Sequence, residues 1–204
     1  MGDVAIDRVI EAVRAGLPVL LPTDTVYGLA ANAEREAYAT AVYRLKGRPE
    51  TQPSALLAAE VDTLLELVPE LRGHSEAIVR ALLPGPYTLV LPNPARRYRW
   101  LTGNRVDAIG VRVPELAAAA HAVVAAVGCV MATSANEPGG PSPASLDDVP
   151  ERIRSAVAAE LDLGRLPGTP STVIDFSSDE PIVIRDGVAP ADEAIARARA
   201  AVGA

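Results

Sequence analysis

The chain predicts an α/β domain built on a mostly buried mixed sheet. Short apolar runs alternate with amphipathic helical stretches along its 204 residues, and no internal repeat interrupts them. No Pro/Gly/Ser-rich stretch is long enough to separate two domains, so a single domain over residues 1–204 is expected. A chain of this size can bury roughly 70% of the surface it exposes when unfolded, and needs no disulfide or metal staple.

Residues 3–15 place Ile6, Val9, Ile10 and Val13 at helical spacing, with Asp3 as N-cap and Gly16 as the stop. Residues 18–22 are a short apolar run bounded by prolines, which fits a buried strand. A polar loop over 23–28 follows, then a helix over 34–45, a strand over 54–59, and helices over 61–68 and 75–83. Pro84-Gly85-Pro86 stops the last of these. Strands over 87–91 and 108–113 flank a basic loop, and an Ala-rich helix over 115–127 leads to a strand over 129–132. Partial helix over 146–159, a short strand over 160–163 and a strand pair at 171–176 and 181–185 come next. A C-terminal helix over about 190–202 closes the chain.

Composition limits the function. The 26 acids against 19 bases give a net charge of −7, which argues against a protein whose main task is coating a phosphate backbone. A local basic pocket stays compatible with that balance. The lone Cys129 sits in an apolar run and reads as a buried, inert thiol. His74 and His121 lack the Cys or acid spacing of a metal site. The N-terminal residues have no basic region before an apolar stretch, and no apolar run approaches the ~18 residues of a membrane span. A cytoplasmic location is the expectation.

Folds of this class place ligands in loops beyond strand ends, and four such places carry candidate chemistry. Lys46-Gly47-Arg48-Pro49 puts two cations at a helix end, where they can converge on one anion. Gly then Pro is equally an ordinary helix stop, with cations favoured there by the helix dipole. Ser134-Ala135-Asn136 runs into the Gly/Pro-rich segment 137–143, which offers small donors and close backbone approach, or simply a turn-rich loop. Residues 21–29 cluster Thr, Asp and Tyr after a strand, and 171–175 with 185–187 form a strand pattern ending in Arg185. Neither a Walker phosphate loop, a dinucleotide fingerprint nor a G-x-S-x-G elbow occurs.

Taken in order, PTDTVYGLAANA (22–33), KGRP (46–49), LLPGPYTLVL (82–91), IGVRVP (109–114), TSANEPGGPSP (133–143), PSTVIDF (170–176) and VIRDG (183–187) resemble the YrdC-like family of threonylcarbamoyl-adenylate synthases. The resemblance covers about residues 4–187 and implies an open, twisted sheet with a concave ligand groove. It also implies a reaction: L-threonine, bicarbonate and ATP give threonylcarbamoyl-AMP and pyrophosphate, for threonylcarbamoyladenosine in tRNA. By position, Lys46, Arg48, Ser134 and Asn136 match the catalytic, nucleotide-binding set, with Gln52, Ala108, Ser142 and Arg185 as further ATP contacts. Thr25, Arg112, Ala132 and Ser171 match positions that hold threonine, Arg112 being suited to its carboxylate. Mg2+ on the ATP phosphates and a downstream threonylcarbamoyl transferase are implied as companions. There are departures: Gln52 stands where many members have Asn or Lys, and Leu57 where many have a threonine-contacting His. The chain resembles the family's short form. Two other readings are a double-stranded RNA-binding ribosome-maturation module and a domain passing a carbamoyl-adenylate to another acceptor.

Overall fold

The computed structural model describes residues 2–203. Strand β1 (Val19–Pro22) turns at Thr23 into β2 (Tyr27–Asn32), its antiparallel partner. The turn is tied by one hydroxyl: Thr23 Oγ1 donates to the Val26 carbonyl at 2.7 Å and accepts from the Thr25 and Val26 amides at 3.3 and 3.2 Å. Further strands are β3 (Ala55–Ala58), β4 (Tyr87–Pro92), β5 (Ala108–Arg112), β6 (Cys129–Ser134), β7 (Ala159–Glu160), β8 (Thr172–Asp175) and β9 (Ile182–Arg185). Among the described residues these nine strands form one mixed sheet in the order β7-β1-β2-β6-β3-β5-β4-β8-β9.

The two faces of the sheet are unlike, and the period-2 alternation of each strand makes them so. One face carries Leu29, Leu56, Leu89, Ile109, Met131 and Ile174, all fully buried. It packs under α2 (Glu36–Lys46), α3 (Val61–Leu67), α4 (His74–Leu82) and α7 (Ala191–Val202) in the larger core. The other face is covered only in part, by α1 (Gly2–Arg14) and α5 (Ala118–Val127), whose Val9, Val13, Val123 and Val124 meet Leu21, Ala30, Leu57 and Val130. Beyond the reach of α1 and α5 the same face lies open as a groove. A short helix α6 (Glu151–Arg154) precedes β7.

Several expectations shift. Helix α1 begins at Gly2, so Asp3 lies inside it rather than capping it. Strand β2 replaces part of the expected loop: Gly28, Leu29, Ala30 and Ala31 lack β-branched side chains, yet they pair with β1 on one side and β6 on the other. Strand β6 runs two residues further than expected, so Thr133 and Ser134 are strand residues. Helix α5 starts at Ala118, because Pro114 sits in a tight turn closed by the Leu116 amide. Helix in 146–159 is confined to a 3-10 turn at Leu146–Asp148 and to α6, and the following strand is only Ala159–Glu160. No described helix is long and apolar enough to cross a membrane.

Candidate active site

The groove encloses about 800 Å3 on the uncovered sheet face, and its floor is made of small residues: Gly28, Ala55, Gly110 and Ala132. The chemistry therefore lies across the sheet, not only beyond strand ends, because short side chains in adjacent strands leave room above them. Lys46, Arg48, Arg105, Arg112 and Arg185 line it, and none of the described lining residues is Asp, Glu or His. A protein of net charge −7 thus holds a basic cavity.

The first cationic pole is built where α2 stops. Gly47 takes the left-handed conformation (φ 69°), and the Arg48 amide caps the Tyr43 carbonyl at 2.9 Å. The helix stop and the anion site are the same structure: the reversal brings both cations onto the groove. Lys46 is buried at 4% exposure. Its ammonium donates to the Ser134 carbonyl, to the Asn136 carbonyl at 2.8 Å and to Asn136 Oδ1 at 2.9 Å. An ammonium has three N–H groups, and all are used. Ser134 Oγ donates to Asn136 Oδ1 at 2.5 Å, and Asn136 Nδ2 to the Gly140 carbonyl at 2.6 Å. Lys46 therefore fixes the 134–140 loop.

Arg48 behaves differently. It reaches across the floor, giving Nη1 to Thr133 Oγ1 at 2.7 Å and Nη2 to the Pro53 carbonyl, while its buried Nε has no partner. One N–H on each terminal nitrogen remains for an anion. Burial, then the charge of Arg48, pushes the Lys46 ammonium down to about 8, and burial also lowers Arg48.

A second cationic cluster lines the same groove. Arg112, on β5, donates through Nη2 to Asp24 Oδ1 and to Thr25 Oγ1 at 3.3 Å. Arg185, at the end of β9, grips Ser171 by its carbonyl (3.1 and 2.8 Å) and its hydroxyl (3.1 Å). Ser171 Oγ also meets Thr88 Oγ1 at 2.9 Å. Burial lowers both arginines, and for Arg185 the charge of Arg112 adds to it. Arg105, on the rim, is neutralised by Asp175 at 2.5 Å.

Residues 11–187 match the family described as "Telomere recombination", that of Sua5, YciO and YrdC. The chain belongs to the Sua5/YciO/YrdC family. It is 35% identical over 182 residues to the threonylcarbamoyl-AMP synthase of Pyrococcus abyssi, covering 89% of this chain and 53% of that protein. The chain thus spans about half the length of that relative. It is also 35% identical to the threonylcarbamoyl-AMP synthase of Halorhodospira halophila, with 85% of each chain covered. The crystal structure of P. abyssi Sua5 complexed with L-threonine superimposes with a TM-score of 0.84 at 33% identity, over 94% of this chain and 56% of that one.

Against this family background, the sequence-predicted residues fall into place unevenly. Lys46, Arg48, Gln52, Ala108, Arg112, Ala132, Ser134, Asn136, Ser171 and Arg185 all line the groove. Thr25 is fully buried beneath it and touches Arg112 from behind. Ser142 lies in the 137–143 loop outside the lining residues. Leu57 forms apolar floor beside Arg112, its register partner in β3–β5 pairing. Three structural partners escaped sequence reasoning: Asp24 on Arg112, Thr133 under Arg48, and Thr88 beside Ser171. One signal was available and unused: Lys46 is the sole lysine among the 19 cations of the chain.

Proposed function

We propose that this chain makes L-threonylcarbamoyladenylate from L-threonine, bicarbonate and ATP, releasing pyrophosphate. The observation that carries the proposal is the pair of separate cationic clusters, Lys46 with Arg48 and Arg112 with Arg185, lining one groove with small residues in its floor. Two anions must meet in this reaction, and a site with two separate anion receptors holds them so. The threonylcarbamoyl-AMP synthases among its relatives, one of them seen with L-threonine, support the same chemistry.

The threonine ammonium first gives up a proton, its amine then bonds to the carbon of bicarbonate, and water leaves to give the carbamate. A carbamate oxygen then bonds to the α-phosphorus of ATP, and the bond from that phosphorus to the pyrophosphate oxygen breaks. Arg48, with open donors, contacts the phosphates and neutralises charge gathering on the leaving pyrophosphate. Lys46 acts one step back, holding Ser134 and Asn136 in place. Arg112 receives the threonine carboxylate, with Thr25 and Ser171 around it. Arg185 stands beside Ser171, so its nucleotide contact requires the adenylate to run from Arg48 toward that end, over Ala108. Mg2+ enters as part of the MgATP substrate, since the described lining residues offer it no carboxylate. The adenylate is labile and would be consumed by a threonylcarbamoyl transferase acting on tRNA.

The test is incubation of the protein with ATP, bicarbonate and labelled threonine. Threonine-dependent pyrophosphate release with formation of a labelled adenylate is expected. Pyrophosphate release at the same rate without threonine would show the proposal wrong.

A further inference from the structure

We propose that Asp24 is a positioning residue for the amino-acid end of the groove: it orients Arg112 and limits that pole to a single negative charge. The proposal rests on the threonine reading above. Asp24 is not on the groove wall. It sits in the turn between β1 and β2, which the Thr23 hydroxyl ties down, and meets Arg112 from 88 residues away in sequence.

Both side chains are nearly closed off from solvent, at 9% exposure for Arg112 and 10% for Asp24. Asp24 Oδ1 and Thr25 Oγ1 together use both hydrogens of Arg112 Nη2. Arg112 Nε, also buried, has no partner. The guanidinium is thus anchored by Nη2, which leaves the Nη1 hydrogens as its donors toward a carboxylate. An arginine without that anchor keeps its charge but loses its direction.

Charge points the same way. An ionised Asp24 offsets one of the two positive charges that Arg112 and Arg185 bring to this part of the groove. Lys46 and Arg48 have no carboxylate partner among the described residues and sum to +2, which suits a polyphosphate. Asp24 therefore sorts the two anions between the poles. Burial pushes its carboxyl up and the charge of Arg112 opposes this.

Titration calorimetry with threonine and with ATP, on the wild type, Asp24→Ala and Asp24→Asn, tests this. Circular dichroism first checks that each is folded. Asp24→Ala should weaken threonine about tenfold or more and change ATP by no more than about twofold. Asp24→Asn keeps an acceptor for Nη2, so threonine should bind within about threefold of wild type. Having lost the charge, however, that variant should bind inorganic phosphate in competition with threonine, whereas the wild type should not. Unchanged threonine affinity in Asp24→Ala overturns the proposal, as does an equal loss of both ligands in both variants. If Asp24→Ala does not fold, phosphate competition in Asp24→Asn decides: its presence supports charge sorting and its absence overturns it. A wild type that binds ATP but no threonine overturns the threonine reading itself, and this proposal with it.

Discussion

Lys46 makes one prediction with an unusual sign. Its ammonium is held down to about 8 by burial and by Arg48, against 10.5 for a free lysine. Between those values the unfolded chain binds a proton that the folded chain does not. Stability must then rise with pH across this window, as the penalty for burying the charge is relieved. From pH 7.5 to 9.5 the relief amounts to about 2 kcal/mol. A neutral amine has two N–H groups rather than three, so one of its contacts to Ser134 or Asn136 is lost over the same range. Activity should therefore fall with an apparent pKa near 8 while stability climbs. The assay is denaturant unfolding at pH 7.5, 8.5 and 9.5, compared with Lys46→Met, alongside pyrophosphate-release rates. Lys46 is the only lysine, so the difference between the two proteins isolates its titration. A pH-independent difference in stability would show that the Lys46 ammonium is not held down by its burial.

Three further outcomes follow from single contacts. Arg48→Ala should lower kcat by about 10²-fold or more, and Arg48→Lys should not restore it, because one ammonium cannot span Thr133 Oγ1 and the Pro53 carbonyl and still face a phosphate. Gly187→Ala should raise the threonine KM and lower the melting temperature: a Cβ there would lie 2.3 Å from the Thr172 amide nitrogen and 2.4 Å from the Pro170 carbonyl oxygen, displacing the Ser171 segment that Arg185 grips. Cys129 should resist thiol reagents at pH 8 until the protein unfolds, since burial pushes its thiol up to about 11.

Much of the fold was legible wherever local sequence and final environment agree. The runs at 19–22, 55–58 and 87–92 are apolar and bounded by proline or polar turns, and each is a strand. Strand β2 was not legible because its residues are small and weakly β-forming; pairing on both sides and burial on both faces hold it. The groove's location was missed for a related reason. That a sheet face stays uncovered depends on where α1 and α5 stop, which no local pattern states. The ordered motifs contain the cations that line the groove. They did not reveal that Lys46 is saturated while Arg48 is open, because that depends on partners 85 to 90 residues away. Asp24 was overlooked for the same reason: within its own turn it is one polar residue among several, and its role exists only against Arg112.

In the proposed reaction the groove brings a threonine carbamate to the α-phosphorus of ATP. The most direct measurement follows ¹⁴C-bicarbonate and the phosphate products together in one reaction. Pyrophosphate should form in one-to-one stoichiometry with a ¹⁴C-labelled threonine adenylate, with no product when threonine is omitted. Release of inorganic phosphate instead of pyrophosphate, or an adenylate without the bicarbonate carbon, would contradict the proposed reaction.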